Sequence, residues 1–361
     1  MKITEKSFGI LSDGSEVMLY TLEAGELVLS ISTYGAAWTS LSMPGKTGRD
    51  DILLGYSSLD GFLRDSTFMG ATIGRFANRI NNGSFTLDNK NYKLNKNDGN
   101  HSLHGGRRGF DKRIWQAYPF TESGGAYIRL ELKSPDGEEG YPGSLTSVVT
   151  YGLTSSNEIS ADYRAEVDVP CPVNITNHAY FNLNGEGNGD ILSHDLCLYA
   201  HSYVEVGSDL IPTGRLIPVK GTPFDFTTAK AIGKDYTAVC EGDSAAIGKG
   251  YDHCFTLKER DSSKNEAGTP EKPVLQPCAE VYEPKSGRSF KLLTSQPGVQ
   301  FYSGNFLNGI MGKAGSVYTK NTGFCLETQH YPDSPNQKTF PPALFGPEKP
   351  YHEQAFFSFA W

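Results

Sequence analysis

Residues 127–133 read YIRLELK, and this stretch decides the fold class. Ile128, Leu130 and Leu132 fall on one side of an extended chain, and the charged residues between them fall on the other. Alternation with a period of two is typical of a strand that has one buried face. The pattern therefore predicts a half-buried β-strand.

Similar patterns extend outward along the chain in both directions. Strands are predicted over residues 26–33, 147–153, 158–167 and 289–294. Residues 84–94 predict a hairpin that turns at Asp88-Asn89, two residue types that tolerate positive φ. The only helical turns predicted are short ones over residues 58–63 and 227–233.

The composition agrees with a β protein. Forty glycines and 20 prolines are spread along 361 residues, together with 19 tyrosines and 20 phenylalanines. Abundant turn residues and aromatic residues without long helical periodicity favour strands. We therefore predict an all-β fold for residues 1–361: a large, single-domain antiparallel β-sandwich with few short helices. Residues 258–273, KERDSSKNEAGTPEKP, are predicted to form an exposed polar loop within it.

Charge and hydropathy exclude several classes of protein. Lys and Arg total 33 against 41 Asp and Glu, a net charge of −8, so we expect no nucleic-acid partner. No apolar run approaches the roughly 20 residues of a membrane-spanning helix, and we expect no membrane partner. The chain as given starts without a secretory signal, which predicts a cytoplasmic protein, although a processed secreted chain would look the same.

Cysteine and histidine spacing gives no sign of a metal site. The six cysteines are scattered and include no C-x-x-C pair, so they are expected to be reduced thiols. The eight histidines also lack the spacing of metal ligands. We therefore expect no metal site.

Residues 173–183, VNITNHAYFNL, form the most unusual polar segment. They are predicted to form a strand with Asn174, Thr176, His178 and Tyr180 on one face. Amides, an imidazole and a phenol on one face suit a sugar, because each sugar hydroxyl needs both a donor and an acceptor.

A glutamate inside an apolar run is the second unusual feature. Glu327 lies within GFCLETQHYPD, residues 323–333, where a carboxylate is costly unless it is hydrogen-bonded or used in chemistry. The alternative interpretation is a structural ion pair with Arg75 or Arg79, from the segment GRFANRI at residues 74–80.

The loop NDGNHSLHGG, residues 97–106, contributes two further imidazoles. Its glycines allow a close approach of the backbone to a ligand, and a plain surface turn is the alternative. His101 is interpreted as a surface histidine. A carboxylate and histidines without a metal, nucleotide or G-x-S-x-G motif indicate proton transfer on a polar small molecule. The residues by themselves do not identify the reaction.

Taken in order, these segments resemble the aldose 1-epimerase (galactose mutarotase) family. The similarity runs from about residue 8 to the C-terminus. The matching strings are GRFANR (74–79), SLHGG (102–106), GFDK (109–112), TNHAYFNL (176–183), YDH (251–253), QPGVQFYSGN (296–305) and FCLETQ (324–329).

The resemblance implies a galactose mutarotase-like supersandwich that binds a free monosaccharide and needs no cofactor. It also implies three catalytic residues: Glu327 as base, His178 as acid and His104 as an assisting group near the ring oxygen. The sugar-binding positions that it implies are Asn78, Arg79, Tyr180, Asp252 and Gln300. We expect a monomer or a weak homodimer.

The expected activity is interconversion of the α and β anomers of free aldohexoses such as galactose or glucose. One alternative is a non-catalytic carbohydrate-binding protein, which would not need Glu327 and His178 together. Another is a hexose 6-phosphate mutarotase, with Arg107 and Arg108 as phosphate ligands. We also expect the charge of Glu327 to raise the pKa of His178, which would extend activity to about pH 7.

Overall fold

The structure is a computed structural model that describes residues 1–46, 48–122, 124–241, 249–257 and 273–361. The loop predicted at residues 258–273 lies outside the described residues, apart from Pro273. No helix in these ranges is both long and apolar enough to cross a membrane.

Strands make up most of the described chain. In chain order they are β1 (Lys2–Ile10), β2 (Glu16–Ala24), β3 (Leu27–Ser32), β4 (Ala37–Gly45), β5 (Gly48–Asp51), β6 (Thr72–Ile73), β7 (Arg79–Ile80), β8 (Ser84–Leu87), β9 (Lys90–Lys93), β10 (Ser102–Leu103), β11 (Gln116–Glu122), β12 (Gly125–Ser134), β13 (Leu145–Thr154), β14 (Glu158–Val167), β15 (Cys171–Pro172), β16 (Thr176–Asn177), β17 (Asp195–Leu198), β18 (Ala200–Val206), β19 (Pro212–Pro218), β20 (Lys230–Ala231), β21 (Asp252–Leu257), β22 (Gln276–Tyr282), β23 (Ser289–Thr294), β24 (Gly298–Tyr302), β25 (Ile310–Met311), β26 (Val317–Tyr318), β27 (Cys325–Gln329), β28 (Leu344–Phe345) and β29 (Tyr351–Ala360). The α-helices of the described residues are α1 (Leu59–Arg64) and α2 (Tyr236–Glu241).

Three sheets carry the architecture. The first has the order β1-β2-β3-β4-β5, and the second is nine-stranded with the order β11-β12-β13-β14-β29-β23-β22-β17-β20. The third has the order β19-β18-β21-β24-β27. The strand pairs within these sheets are antiparallel. The fold is therefore all-β and antiparallel with few short helices, as the sequence predicts.

One apolar core reaches all three sheets. Trp38 of the first sheet contacts Tyr151 and Phe357 of the nine-stranded sheet, with ring centroids 5.2 and 5.6 Å apart. Phe255 and Phe301 of the third sheet belong to the same buried cluster. The sheets are thus stacked face to face, as expected of a β-sandwich.

Most strand predictions from the sequence are confirmed, and two local predictions are wrong. Strands β14 and β23 have the predicted bounds, and the hairpin β8–β9 turns at Asp88 and Asn89. Residues 227–233 do not form a helix, because Lys230–Ala231 pair with the end of the nine-stranded sheet and form β20. Here tertiary pairing overrides local preference.

Residues 173–183 do not form the single continuous strand that was predicted. Only Thr176–Asn177 pair as a strand, with β6, while Asn174 bridges to Phe76 and Phe181 bridges to Phe324. Every residue of the segment is buried. Because each short piece has a different partner and both sides are covered, the regular alternation of faces is lost.

The buried Arg75 has a structural role. Its guanidinium donates to the side chain and backbone oxygen of Ser134 and to the backbone oxygens of Pro135, Pro142 and Gly143, at 2.8–3.0 Å. These bonds join the segment that contains Arg75 to the connection between β12 and β13. A planar group with five donors satisfies this set of acceptors better than an ammonium group does.

Replacing Arg75 with lysine should lower the free energy of unfolding by about 2–4 kcal/mol, because three donors cannot satisfy five acceptor contacts. Urea denaturation measures this. The matched control is Arg215→Lys, since the Arg215 side chain is 71% exposed and pairs with Glu205. The control should change stability by less than about 1 kcal/mol, and equal losses in the two variants would contradict the assigned role of Arg75.

Candidate active site

Strand register brings four polar side chains to one face of the third sheet. Glu327 on β27 lies directly opposite Gln300 on β24, and Asp252 on β21 lies opposite Tyr302 on β24. Opposed residues of antiparallel strands share a face, and so do alternate residues of one strand. Glu327, Gln300, Asp252 and Tyr302 therefore project to the same side.

His104 and Asn78 are held against each other by left-handed backbone, with φ values of +51° and +65°. The backbone N–H of Asn78 donates to Nδ1 of His104 at 3.2 Å, and the backbone N–H of His104 donates to the Asn78 carbonyl at 3.1 Å. Gly105 follows with φ +87°, and a Cβ there would lie 2.0 Å from the Gly74 oxygen. Only glycine therefore fits after His104.

His178 follows the short strand β16 and is fixed through its backbone. Its N–H donates to the Ala71 carbonyl at 2.9 Å, and its carbonyl accepts from the Gly70 N–H at 3.0 Å. The imidazole ring lies 5.3 Å from the ring of His104 and 5.0 Å from that of Tyr180, measured between centroids. The structure thus brings both predicted catalytic histidines together.

These side chains line one cavity of about 220 Å³. Of the eight predicted site residues, seven line it: Asn78, Arg79, His104, His178, Tyr180, Asp252 and Glu327. The lining residues that the sequence analysis did not identify are Ser66, Thr67, Phe68, Asp98, Leu103, Tyr302 and Phe306.

Gln300 and the Tyr180 hydroxyl are less available to a bound sugar than the sequence analysis expects. Gln300 does not line the cavity but donates from Nε2 to Asp252 Oδ1 at 2.6 Å, so it orients that carboxyl group. The Tyr180 hydroxyl donates to the backbone oxygen of Thr67 at 3.0 Å. Tyr180 therefore offers its ring to the cavity, while its hydroxyl proton is already used.

The sequence could have indicated some of these additional lining residues but not others. Tyr302 follows Gln300 by two positions on the same strand, so strand periodicity alone places it on the site face. Asp98 lies in the segment that contains His104 and accepts from Arg79 Nε at 2.7 Å. No local pattern indicates that contact.

Glu327 and His178 form a buried pair. Oε1 of Glu327 lies 3.7 Å from Nε2 of His178, and the two residues are 2% and 4% exposed. Oε2 of Glu327 has no hydrogen-bond partner among the described residues. Since Arg75 binds backbone oxygens and Arg79 binds Asp98, the alternative of a structural arginine–glutamate pair is not supported.

Burial controls the protonation of this pair. It raises the pKa of Glu327 well above its ordinary value, with a further increase from the charge of Asp252 and a smaller opposing effect of Arg79. Burial also lowers the pKa of His178 to about 4. The expectation that the charge of Glu327 raises the pKa of His178 is therefore wrong, because desolvation disfavours both charges. Both shifts favour the uncharged arrangement of the pair, with the proton on the carboxyl group.

His104 is set up as a hydrogen-bond donor. Because its Nδ1 accepts from the Asn78 N–H, the proton of the neutral ring must be on Nε2. Burial, and the neighbouring His178, Arg79 and Lys112, keep the pKa of His104 well below its ordinary value. The neutral ring can therefore donate from Nε2 at neutral pH.

The cluster of His104, His178 and Glu327 resembles a metal site in composition, with possible ligand atoms within 4.8 Å of one another. Histidine ligands of metals usually donate their second N–H to an acceptor. In His104, Nδ1 instead accepts a hydrogen bond. The ring proton is therefore on Nε2, the nitrogen that would have to bind a metal. This arrangement favours proton chemistry over metal binding.

Comparisons with known proteins agree with this fold. The sequence profile described as aldose 1-epimerase matches residues 18–356. The chain is 42% identical to human galactose mutarotase over 99% of this chain and 98% of that protein. It is 39% identical to the aldose 1-epimerase of Escherichia coli K12, over 91% and 90% of the two chains.

Solved structures show the same similarity. A galactose 1-epimerase from Lactobacillus acidophilus superposes with a TM-score of 0.83 at 25% identity, over 99% of this chain and 98% of that one. An aldose epimerase homologue from C. elegans gives 0.82 at 28% identity, over 95% and 99%. The fold is thus that of galactose mutarotase-like β-sandwiches. The chain belongs to the aldose 1-epimerase family.

The protonation state of the two histidines is directly testable. The imidazole of His178 should stay neutral down to about pH 5, because burial lowers its pKa to about 4. His104 should appear as the Nε2–H tautomer. Long-range ¹H–¹⁵N correlation spectra measure both, with His178→Asn for assignment. An imidazolium signal from His178 at pH 6 would contradict the account.

Proposed function

We propose that Glu327, His178 and His104 interconvert the α and β anomers of a free aldose, the activity of the aldose 1-epimerase family to which the chain belongs. The observation that carries this assignment is the buried Glu327–His178 pair, which faces a cavity and has a carboxyl oxygen without a partner. A structural pair would satisfy both oxygens.

The reaction needs two proton transfers. Glu327 takes the proton of the C1 hydroxyl, and His178 gives a proton from Nε2 to the ring oxygen. The bond between C1 and the ring oxygen breaks and C1 becomes an aldehyde carbon. Rotation about the C1–C2 bond and reclosure on the other face reverse both transfers. Each positioned proton donor or acceptor contributes roughly a hundred- to ten-thousand-fold.

Burial favours the open-chain state of this scheme. Before ring opening, the pair is a carboxylate and an imidazolium, which the dry surroundings destabilise. After ring opening, Glu327 is protonated and His178 is neutral, the arrangement that their shifted pKa values favour. Desolvation therefore lowers the free energy of the aldehyde complex relative to the bound ring with the charged pair, and it opposes formation of that charged pair from the uncharged resting pair.

The other side chains hold the sugar. His104 donates from Nε2 beside the ring oxygen. Asn78, Arg79 and Asp252 bind hydroxyl groups, with Gln300 orienting Asp252 through their 2.6 Å hydrogen bond. Arg79 is held by Asp98 at Nε, so its terminal nitrogens, which have no partner among the described residues, can donate to the sugar. Such positioning places the anomeric carbon against the acid and the base.

The two alternatives find less support. Arg107 and Arg108 do not line the cavity, and their backbone N–H groups donate to Glu139. Arg79 is the only Lys or Arg among the described lining residues, so a phosphate has no cationic pocket there. A binding protein does not need a carboxylic acid and an imidazole to meet in a buried position.

We also propose that the protein acts in the cytoplasm as a monomer or a weak homodimer. The six cysteines are unpaired, and four of them are buried. Free thiols suit a reducing compartment.

Polarimetry tests the proposed activity. Freshly dissolved α-galactose and α-glucose should reach their equilibrium rotation faster with the protein, and Glu327→Gln should lower the added rate by at least about a hundredfold, because the base is lost. No acceleration by the wild-type protein on these sugars, with binding seen by calorimetry, would support the binding protein instead. Acceleration confined to glucose 6-phosphate would support the phosphate alternative.

The chain contains a matched control for this experiment. Glu353 lies 3.7 Å from Nε2 of the buried His330, the same separation as in the catalytic pair, but neither residue lines the cavity. Glu353→Gln should therefore retain the wild-type rate. An equal loss in the two variants would point to a general effect of removing a carboxylate beside a buried histidine.

A further inference from the structure

The loop after α1 contributes three lining residues that the proposed mechanism does not use: Ser66, Thr67 and Phe68. Its shape depends on Asp65. Oδ1 of Asp65 accepts from the Tyr56 hydroxyl at 2.7 Å, from the Thr67 N–H at 2.8 Å and from the Thr67 hydroxyl at 2.6 Å. Oδ2 accepts from the Met69 N–H at 2.8 Å. The carboxylate therefore fixes the backbone on both sides of Phe68.

Phe68 occupies a conformation that a phenylalanine rarely adopts. Its φ is +61°, in the left-handed region, which costs energy for a bulky residue and persists only where the surroundings enforce it. The ring is half-buried and lies 4.6 Å from the His104 ring and 5.9 Å from the His178 ring, between centroids. Phe68 thus covers both imidazoles at the edge of the cavity.

Other groups also face these two imidazoles. His178 is 3.7 Å from Glu327 and 3.5 Å from the Cys325 sulfur, and its ring packs on Tyr180 and Tyr302. The charges that act on the two rings come from Asp65, Arg79 and Lys112, and the Lys112 ammonium also lies 5.6 Å above the Phe68 ring.

We propose that Phe68 and Asp65 are positioning residues for the acid and its assisting histidine: Asp65 holds residues 66–69 so that the Phe68 ring excludes water from the imidazoles of His178 and His104 and fixes their orientation. This inference rests on the proposed function. It accounts for the strained backbone of Phe68, because in this conformation the ring contacts both imidazoles.

According to this proposal, the exclusion of water from Glu327 and His178 depends on the Phe68 ring. If water reaches the pair, the pKa of His178 rises from about 4 toward its ordinary value, and the pKa of Glu327 falls toward its own. Above the pKa of the hydrated His178, both Glu327 and His178 are deprotonated, and no acid is available. The basic limb of kcat/KM, which the raised pKa of Glu327 sets in the dry pair, should then move to lower pH. A residue with only a structural role would change the amount of folded protein and leave the limb in place.

Phe68→Asn tests this, since asparagine tolerates positive φ and the variant removes the ring with little backbone strain. In polarimetric assays on galactose, kcat should fall about tenfold or more, and the basic limb should move to lower pH, toward about 6.5. Phe68→Leu keeps an apolar cover and should keep the limb near its wild-type position. Asp65→Asn, which cannot accept at both positions, should act like Phe68→Asn but more weakly.

Tyr56→Phe is the matched control, because it removes one of the four bonds to Asp65 and none of those from the loop backbone. It should retain the wild-type limb and kcat. A wild-type protein that does not accelerate mutarotation refutes the proposed function itself. An active wild type whose Phe68→Asn variant keeps both kcat and the limb refutes only the role of Phe68, and a loss in Asp65→Asn alone refutes the link between the two residues.

Discussion

Glu327 and His178 lie 3.7 Å apart at a place where both side chains are almost fully buried. Withdrawal from water opposes both a carboxylate and an imidazolium and therefore favours the uncharged arrangement of the pair. In the proposed reaction, ring opening leads to that same arrangement. The surrounding structure buries the pair, and both of its side chains face the cavity.

Two kinds of structure build this environment. The third sheet supplies Glu327, Asp252 and Gln300 from regular strands whose register fixes a common face. Irregular backbone supplies the opposite side, where His104 and Phe68 both have positive φ. Strands give the base a rigid position, whereas left-handed residues bring imidazole and phenyl rings closer than a regular ladder would allow.

The sequence predicts the regular part of this arrangement well. The alternation over residues 158–167 and 289–294 sets the strand bounds, because one face of each strand is buried. It predicts the segment around His178 poorly, since residues 173–183 pair with several partners and are buried on both sides. Phe68 could not be predicted at all, because its position depends on positive φ and on hydrogen bonds to Asp65.

The catalytic unit is best tested with the double variant Glu327→Gln, His178→Asn, assayed by polarimetry beside each single variant. If Glu327 and His178 act as one unit that carries a single proton, removing either side chain already disables the reaction. The double variant should therefore retain about the rate of the slower single variant. Losses that multiply in the double variant would show that the two groups act independently and would contradict the shared-proton account.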